Sequence, residues 1–132
     1  MKGFKSNIEK DTLSNSNFRR VLYTGKNSQL VLMSLRPDEE IGEEVHETVD
    51  QFFRFEKGEG VVSIDGVKQK VVDGDAVIVP AGARHNVINT SRTIDLKLYT
   101  IYSPPEHIDG TLRKTKAEAL ARPEEFDGKT TE

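Results

Sequence analysis

Between Phe18 and Tyr102 no β-like run exceeds nine residues before turn residues interrupt it. A chain that turns so often has no room for βαβ units, and its spacing predicts an antiparallel sandwich or barrel. Phe18 to Thr24 ends at Gly25-Lys26-Asn27. Gln29 to Leu35 sets Leu30, Leu32 and Ser34 on one face and Val31, Met33 and Leu35 on the other. Pro37-Asp38-Glu39-Glu40 breaks that run, and a Phe-rich run follows from Gln51 to Glu56. Gly60 to Asp65 and Val67 to Val72 flank Asp65-Gly66, a two-residue hairpin signal in which both positions favour positive φ. Asp73-Gly74 reads as a second such pair, ahead of Asp75 to Val79. Val87 to Asn89 and Ile94 to Tyr102 complete the series.

The flanks read differently. Residues 1–17 are polar and Ser/Asn-rich, an N-terminal arm with at most one short strand. Residues 18–105 form the β domain. Residues 106–132 form a tail in which only 115–122 has good helix formers, with Thr115 and Glu118 spaced as a capping box and Pro123 as the stop. The last six residues, from Asp127, should fray.

The chain has 132 residues, no cysteine, 19 Lys plus Arg against 22 Asp plus Glu, and a net charge of −3. A single domain of this size folds without cross-links. The absence of cysteine excludes a disulfide scaffold, a thiolate zinc site, an iron–sulfur cluster and a thiol nucleophile. The mildly acidic balance carries no electrostatic footprint for nucleic acid or anionic membrane. No apolar run approaches the roughly 20 residues of a membrane span, and Met1-Lys2-Gly3-Phe4-Lys5 lacks a secretory signal's apolar core. These features predict a cytoplasmic protein.

Three histidines occur: His46, His85 and His107. His46 lies in Glu44-Val45-His46, where strand alternation points Glu44 and His46 the same way. Gln51 opens the next strand. His85 lies in a segment that runs Gly74, five residues, Pro80, one residue, Gly82, two residues, His85, three residues, Asn89. That segment resembles the second cupin motif at every marked position. Counting back from Gly58, residues 38–58 resemble the first motif in altered form. Asp38 stands for its opening glycine, Glu44 for its first His, His46 for its second His and Gln51 for its Glu. The ending Leu98–His107 resembles small single-domain bacterial cupins of the mannose-6-phosphate isomerase-like kind.

The resemblance implies an all-β fold, the cupin double-stranded β-helix or jelly-roll barrel, with a short C-terminal helix. It also implies one divalent transition metal (Fe, Zn, Mn or Ni), held by Glu44, His46, Gln51 and His85 inside the barrel. Two imidazoles and one carboxylate suit such ions. Gln51 either adds a neutral oxygen or orients a ligand or water. A neutral amide there cannot take a proton, as a Glu can.

Simpler readings compete for several residues. Glu44 sits in an acidic run with Glu39, Glu40, Glu43 and Glu47 that is otherwise a solvated loop. His107, after Pro104-Pro105, reads as solvent-exposed. Phe53, Phe55, Leu98 and Tyr102 read as core, and Arg84 as a surface charge. Asp50 reads as a turn cap. The functional expectation is a metal-binding cupin, a small metal-dependent enzyme acting on an oxygen-rich small molecule such as a sugar or hydroxy-ketone. Isomerase-like chemistry is expected ahead of lyase or dioxygenase chemistry, with no catalytic residue assigned. The alternative is a non-catalytic module that binds a metal or small ligand. The expected assembly is a homodimer in which the arm adds a strand to a partner's edge.

Overall fold

Alternation of buried and half-exposed side chains folds the chain into two antiparallel sheets in the computed structural model, which describes residues 1–132. The strands are β1 (Arg19–Thr24), β2 (Gln29–Leu35), β3 (Glu44–Val45), β4 (Asp50–Lys57), β5 (Glu59–Ile64), β6 (Val67–Val72), β7 (Ala76–Val79), β8 (Arg84–Asn89), β9 (Leu96–Ser103) and β10 (Leu112–Arg113). The larger sheet has the order β10-β1-β2-β9-β4-β7 and the smaller β3-β8-β5-β6. Neighbours such as β2 with β9 and β5 with β8 are distant in sequence, as in a jelly roll.

The inward faces meet in one apolar core. Val31, Leu35, Phe53, Phe55, Leu96 and Leu98 are fully buried there. Each such side chain contributes roughly 1.5–3 kcal/mol on leaving water. The sheets close tightly at Gly60, where an added Cβ would lie 2.5 Å from the Ile88 carbonyl oxygen and 2.9 Å from Leu96 Cδ2.

The arm differs from expectation. It forms a helix, α1 (Ile8–Ser14), rather than a strand. Asn7 caps it, its side chain accepting from the Lys10 N–H at 3.0 Å. α1 packs on the outer face of β2, β4 and β9, and Lys97 on β9 donates through Nζ to the Asn15 carbonyl just past the helix. Leu32 and Ser34, on the opposite face of β2 from the core, are therefore buried as well. Tertiary cover converts a polar, Ser/Asn-rich segment into a helix that a single-sequence reading has no means to see.

The two Asp-Gly pairs behave differently. Asp65 (φ 46) and Gly66 (φ 82) both take positive φ and close the β5–β6 hairpin. At the second pair only Gly74 has positive φ (93). Here Asp75 N–H donates to the Val72 carbonyl at 3.0 Å, and Asp75 Oδ2 accepts from Val72 N–H at 2.8 Å. This turn is no hairpin, because β6 and β7 belong to different sheets. It is the corner at which the chain changes layers.

The C-terminal helix α2 (Lys116–Ala121) forms as expected, with Thr115 Oγ1 accepting from the Glu118 N–H at 3.1 Å. The final residues dock instead of fraying. Thr131 N–H donates to the Thr24 carbonyl at 2.9 Å, and the Glu132 carboxylate accepts from Tyr23 Oη at 2.7 Å. No helix is long and apolar enough to cross a membrane.

Candidate metal centre

The register of β3 against β8 builds the site. Glu44 and His85 are directly opposed partners, and opposed residues of an antiparallel pair share a face. His46 lies just past β3, and its carbonyl accepts from the Gly82 N–H at 2.8 Å. Asp50 Oδ1 accepts from the Ala81 N–H at 2.8 Å. The Pro80–Gly82 turn thus ties the His85 segment to the His46 segment. Gly82 adopts φ 88, which favours glycine. Asp38, at the place of the first motif's glycine, keeps that left-handed geometry with φ 62. Asn89 closes the second motif structurally. Its amide donates to the carbonyls of Leu35, Arg36 and Ile94 at 3.1, 3.0 and 2.9 Å.

One ligand atom from each of Glu44, His46 and His85 lies within 4.8 Å of the other two. His85 is buried, and its Nδ1 is 3.1 Å from the Ala83 carbonyl. A carbonyl only accepts, so Nδ1 donates and Nε2 is the nitrogen left for a ligand. His46 Nε2 approaches Glu44 Oε2 at 3.0 Å, yet this buried nitrogen has no aligned hydrogen-bond partner. Gln51 is buried on the inner face of β4. Its Nε2 donates to Thr100 Oγ1 at 3.0 Å, which leaves Oε1 buried and without a partner. Tyr102 packs edge-on to His46, with centroids 5.9 Å apart, and Phe53 sits 6.3 Å from His85.

The structure adds residues that the motif spacing did not reveal. Glu106 Oε1 lies 3.4 Å from His46 Nδ1, on the far side of the ring from Glu44. Burial pulls the His46 imidazole down, but Glu106 and Glu44 outweigh it and hold its pKa at about 9. Burial pushes the Glu44 carboxyl up, and the His46 imidazolium 3.0 Å away more than offsets this, leaving it below its usual value. Glu106 is near the barrel mouth because Gln29 grips its segment. Gln29 Oε1 accepts from the backbone N–H groups of Glu106 and His107 at 3.2 and 2.9 Å. Its Nε2 donates to the His107 carbonyl at 2.7 Å. Nothing in the spacing of Gln29 or Glu106 signals this, since the contact spans 77 positions.

His107 corrects the sequence reading. It is buried, not exposed. Its Nδ1 lies 2.7 Å from Glu124 Oε1, and its ring meets Tyr102 edge-on at 5.0 Å. Arg19 and Arg113 approach the same Glu124 carboxylate at 3.8 and 3.4 Å. Arg84, by contrast, is a surface charge paired with Glu43 at 3.4 Å. A cavity of about 200 Å³ opens onto the site, lined in part by Arg19, Glu44, His46, Glu106, His107 and Glu124.

These residues fit a divalent ion. Unpaired buried polar atoms are destabilising, by about 1–3 kcal/mol each. Here two of them, His46 Nε2 and Gln51 Oε1, belong to residues at the expected ligand positions. One carboxylate and two imidazoles with ligand atoms this close form a donor set for a borderline transition ion.

Fold and site together define a cupin, and the comparisons agree. The cupin domain profile matches residues 31–102. The chain is 49% identical over 126 residues to the Bacillus subtilis (strain 168) protein YrkC, covering 91% of this chain and 67% of that one. It is 44% identical to the crystal structure of BH2720 from Bacillus halodurans, with a TM-score of 0.89 over 92% of this chain and 96% of that one. A predicted oxalate decarboxylase from Thermotoga maritima is 26% identical, with a TM-score of 0.56 over 61% of this chain and 69% of that one. The chain belongs to the cupin family.

Proposed function

We infer that this cupin is a metal-dependent enzyme that acts on a small oxygen-rich molecule with adjacent hydroxyl and carbonyl groups, in the manner of an isomerase. Glu44, His46 and His85 would hold one divalent transition ion, with Gln51 Oε1 as a neutral fourth donor. The observation that carries this reading is the convergence of three ligand atoms within 4.8 Å, beside Gln51 Oε1, a buried acceptor that no protein donor fills. An ion held there supplies Lewis-acid polarisation of a bound carbonyl.

The chain's own residues supply the rest. The Ala83 carbonyl accepts from His85 Nδ1, which orients the ring and leaves Nε2 as its coordinating nitrogen. Glu106 orients His46 through Nδ1. Phe18 and Ile41 line the cavity and exclude water on one side, and α2 covers another through Lys116, Ala119 and Leu120. Glu44 and Glu106 keep about a third of their side chains exposed, 32% and 30%, so the site is reachable from outside. The resemblance to a predicted oxalate decarboxylase supports a small ligand with two oxygen donors, and the resemblance of the chain's ending to mannose-6-phosphate isomerase-like cupins supports isomerisation over oxidation.

Elemental analysis of protein purified without an affinity tag tests the metal, with one transition ion per chain expected. Proton NMR of short hydroxy-ketones and aldoses in D₂O with the metal-loaded protein tests the reaction, with deuterium expected at the carbon next to the carbonyl. A metal-free protein that takes up no ion on reconstitution overturns the reading. Stoichiometric metal with no exchange on any such substrate moves the protein to the non-catalytic binding class.

A further inference from the structure

His107 has the attributes of a working side chain. Its backbone is pinned on both sides by Gln29, N–H to Oε1 at 2.9 Å and carbonyl from Nε2 at 2.7 Å. Its Nδ1 is held 2.7 Å from Glu124 Oε1, and that carboxylate is itself oriented by Arg113 and Arg19. An ionised carboxylate accepts, so Nδ1 is the protonated nitrogen and Nε2 carries the lone pair. Nε2 is buried and has no partner. The residue is 7% exposed and lines the same cavity as Glu44 and His46. A base held by an orienting carboxylate, with its free nitrogen unsatisfied beside a ligand cavity, is the arrangement that proton abstraction uses.

We propose that His107, oriented by Glu124, is the proton acceptor for the small oxygen ligand bound in this cavity, which makes the pair a base distinct from the metal donors. The proposal rests on the metal-dependent reading above. For an α-hydroxy carbonyl substrate the balance is simple. The C–H bond next to the carbonyl breaks, its proton bonds to His107 Nε2, and its electron pair moves to the carbonyl oxygen. Return of that proton to the former carbonyl carbon, while the hydroxyl proton passes to the former carbonyl oxygen and the hydroxyl oxygen forms the new C=O, completes an isomerisation with no external oxidant or reductant. Burial holds the His107 imidazole below its usual pKa, against the pull of Glu124. It is thus neutral and able to accept near pH 7.

Acetohydroxamic acid is the probe, because its two oxygens mimic the substrate pair and it gives up its N–OH proton on chelation. Calorimetry of the metal-loaded protein in buffers of different ionisation enthalpy counts protons passed to the buffer. Wild type is expected to release about one proton fewer than His107→Gln, since Nε2 keeps it. His107→Gln should bind the probe about 10–100-fold more weakly while its metal content stays stoichiometric. Glu124→Gln, which leaves the imidazole in place, guards against misfolding of the first variant and should bind the probe with an intermediate affinity. Equal proton release from wild type and His107→Gln overturns the proposal, even if metal binds. Failure of the wild type to take up metal at all overturns the underlying reading instead, and the proposal with it.

Discussion

The backbone N–H of Gly82 donates to the carbonyl of His46 across 2.8 Å. That bond joins the two halves of the site through main chain alone. His46 lies outside any strand, so its position depends on the turn that carries His85 into β8. Loss of either half should therefore be felt at the other.

The donor residues should be unequal. His46→Ala or His85→Ala should abolish stoichiometric metal, because each leaves one imidazole. Glu44→Gln removes the only carboxylate among the three converging donors and should weaken binding more than Gln51→Ala. The latter removes a neutral oxygen and is expected to weaken affinity about 10–100-fold. Calorimetric titration with Zn²⁺ or Mn²⁺ checks the order. Equal affinities for wild type and Glu44→Gln would return Glu44 to the solvated acidic loop.

Metal affinity should rise with pH well past the usual histidine range. His46 in the metal-free protein holds its proton up to about 9, and an ion must displace it. Apparent affinity should climb about tenfold per pH unit from about 6.5 to about 9, then flatten. The same shift has the opposite sign for the metal-free fold. A raised pKa stabilises while the imidazolium is present, fully below about 6.5, and the contribution is lost as pH rises through about 9. Titrations and urea melts across pH 6–10 measure both, and an affinity plateau already reached at pH 7 contradicts the Glu106–His46–Glu44 arrangement.

Glu106→Gln separates charge from orientation. Removing the carboxylate should lower the pH at which the plateau begins, because one of the two charges holding the His46 proton is gone. Above pH 9 the variant should still bind metal about 10-fold more weakly, because Nδ1 loses its anionic partner. A variant that matches wild type at every pH would show that the 3.4 Å contact does nothing for the ion.

Gly60→Ala should destabilise the fold by about 1–3 kcal/mol through overpacking, since its Cβ would meet a backbone carbonyl oxygen at 2.5 Å. Gly82→Ala meets no atom within 4 Å but sits at φ 88. Its penalty of about 1–2 kcal/mol comes from the left-handed backbone alone. Asp38→Gly relieves the same strain at φ 62 and should be neutral or slightly stabilising. Denaturant midpoints at fixed pH report all three.

Much of the fold was legible in the chain. The runs Gln29–Leu35 and Val67–Val72 are strands over those same residues, because strand alternation and Asp-Gly turn chemistry are local. Glu44, His46 and His85 were legible as a group because spacing along two motifs survives single substitutions, and the structure brings all three together. The second Asp-Gly pair is not a hairpin, since φ at Asp73 is set by which sheet the next strand joins. The helix α1 is not legible in the chain because its burial comes from β2, β4 and β9, not from its own pattern.

The sequence by itself determined the all-β class and the Pro80–Gly82 turn, since these depend on dihedral preference and period-two alternation, and its resemblance to the two cupin motifs marked the candidate donors. Only the tertiary structure decided the surroundings of that set. Gln29 reaches across 78 positions to hold His107, Glu106 reaches His46 across 60 (106 minus 46), and Glu124 returns from beyond α2 to meet His107. Side-chain contacts of this kind have no period and no local preference. They exist because the closed barrel brings the tail back over its own mouth, where burial makes each polar group find a partner or wait for a ligand.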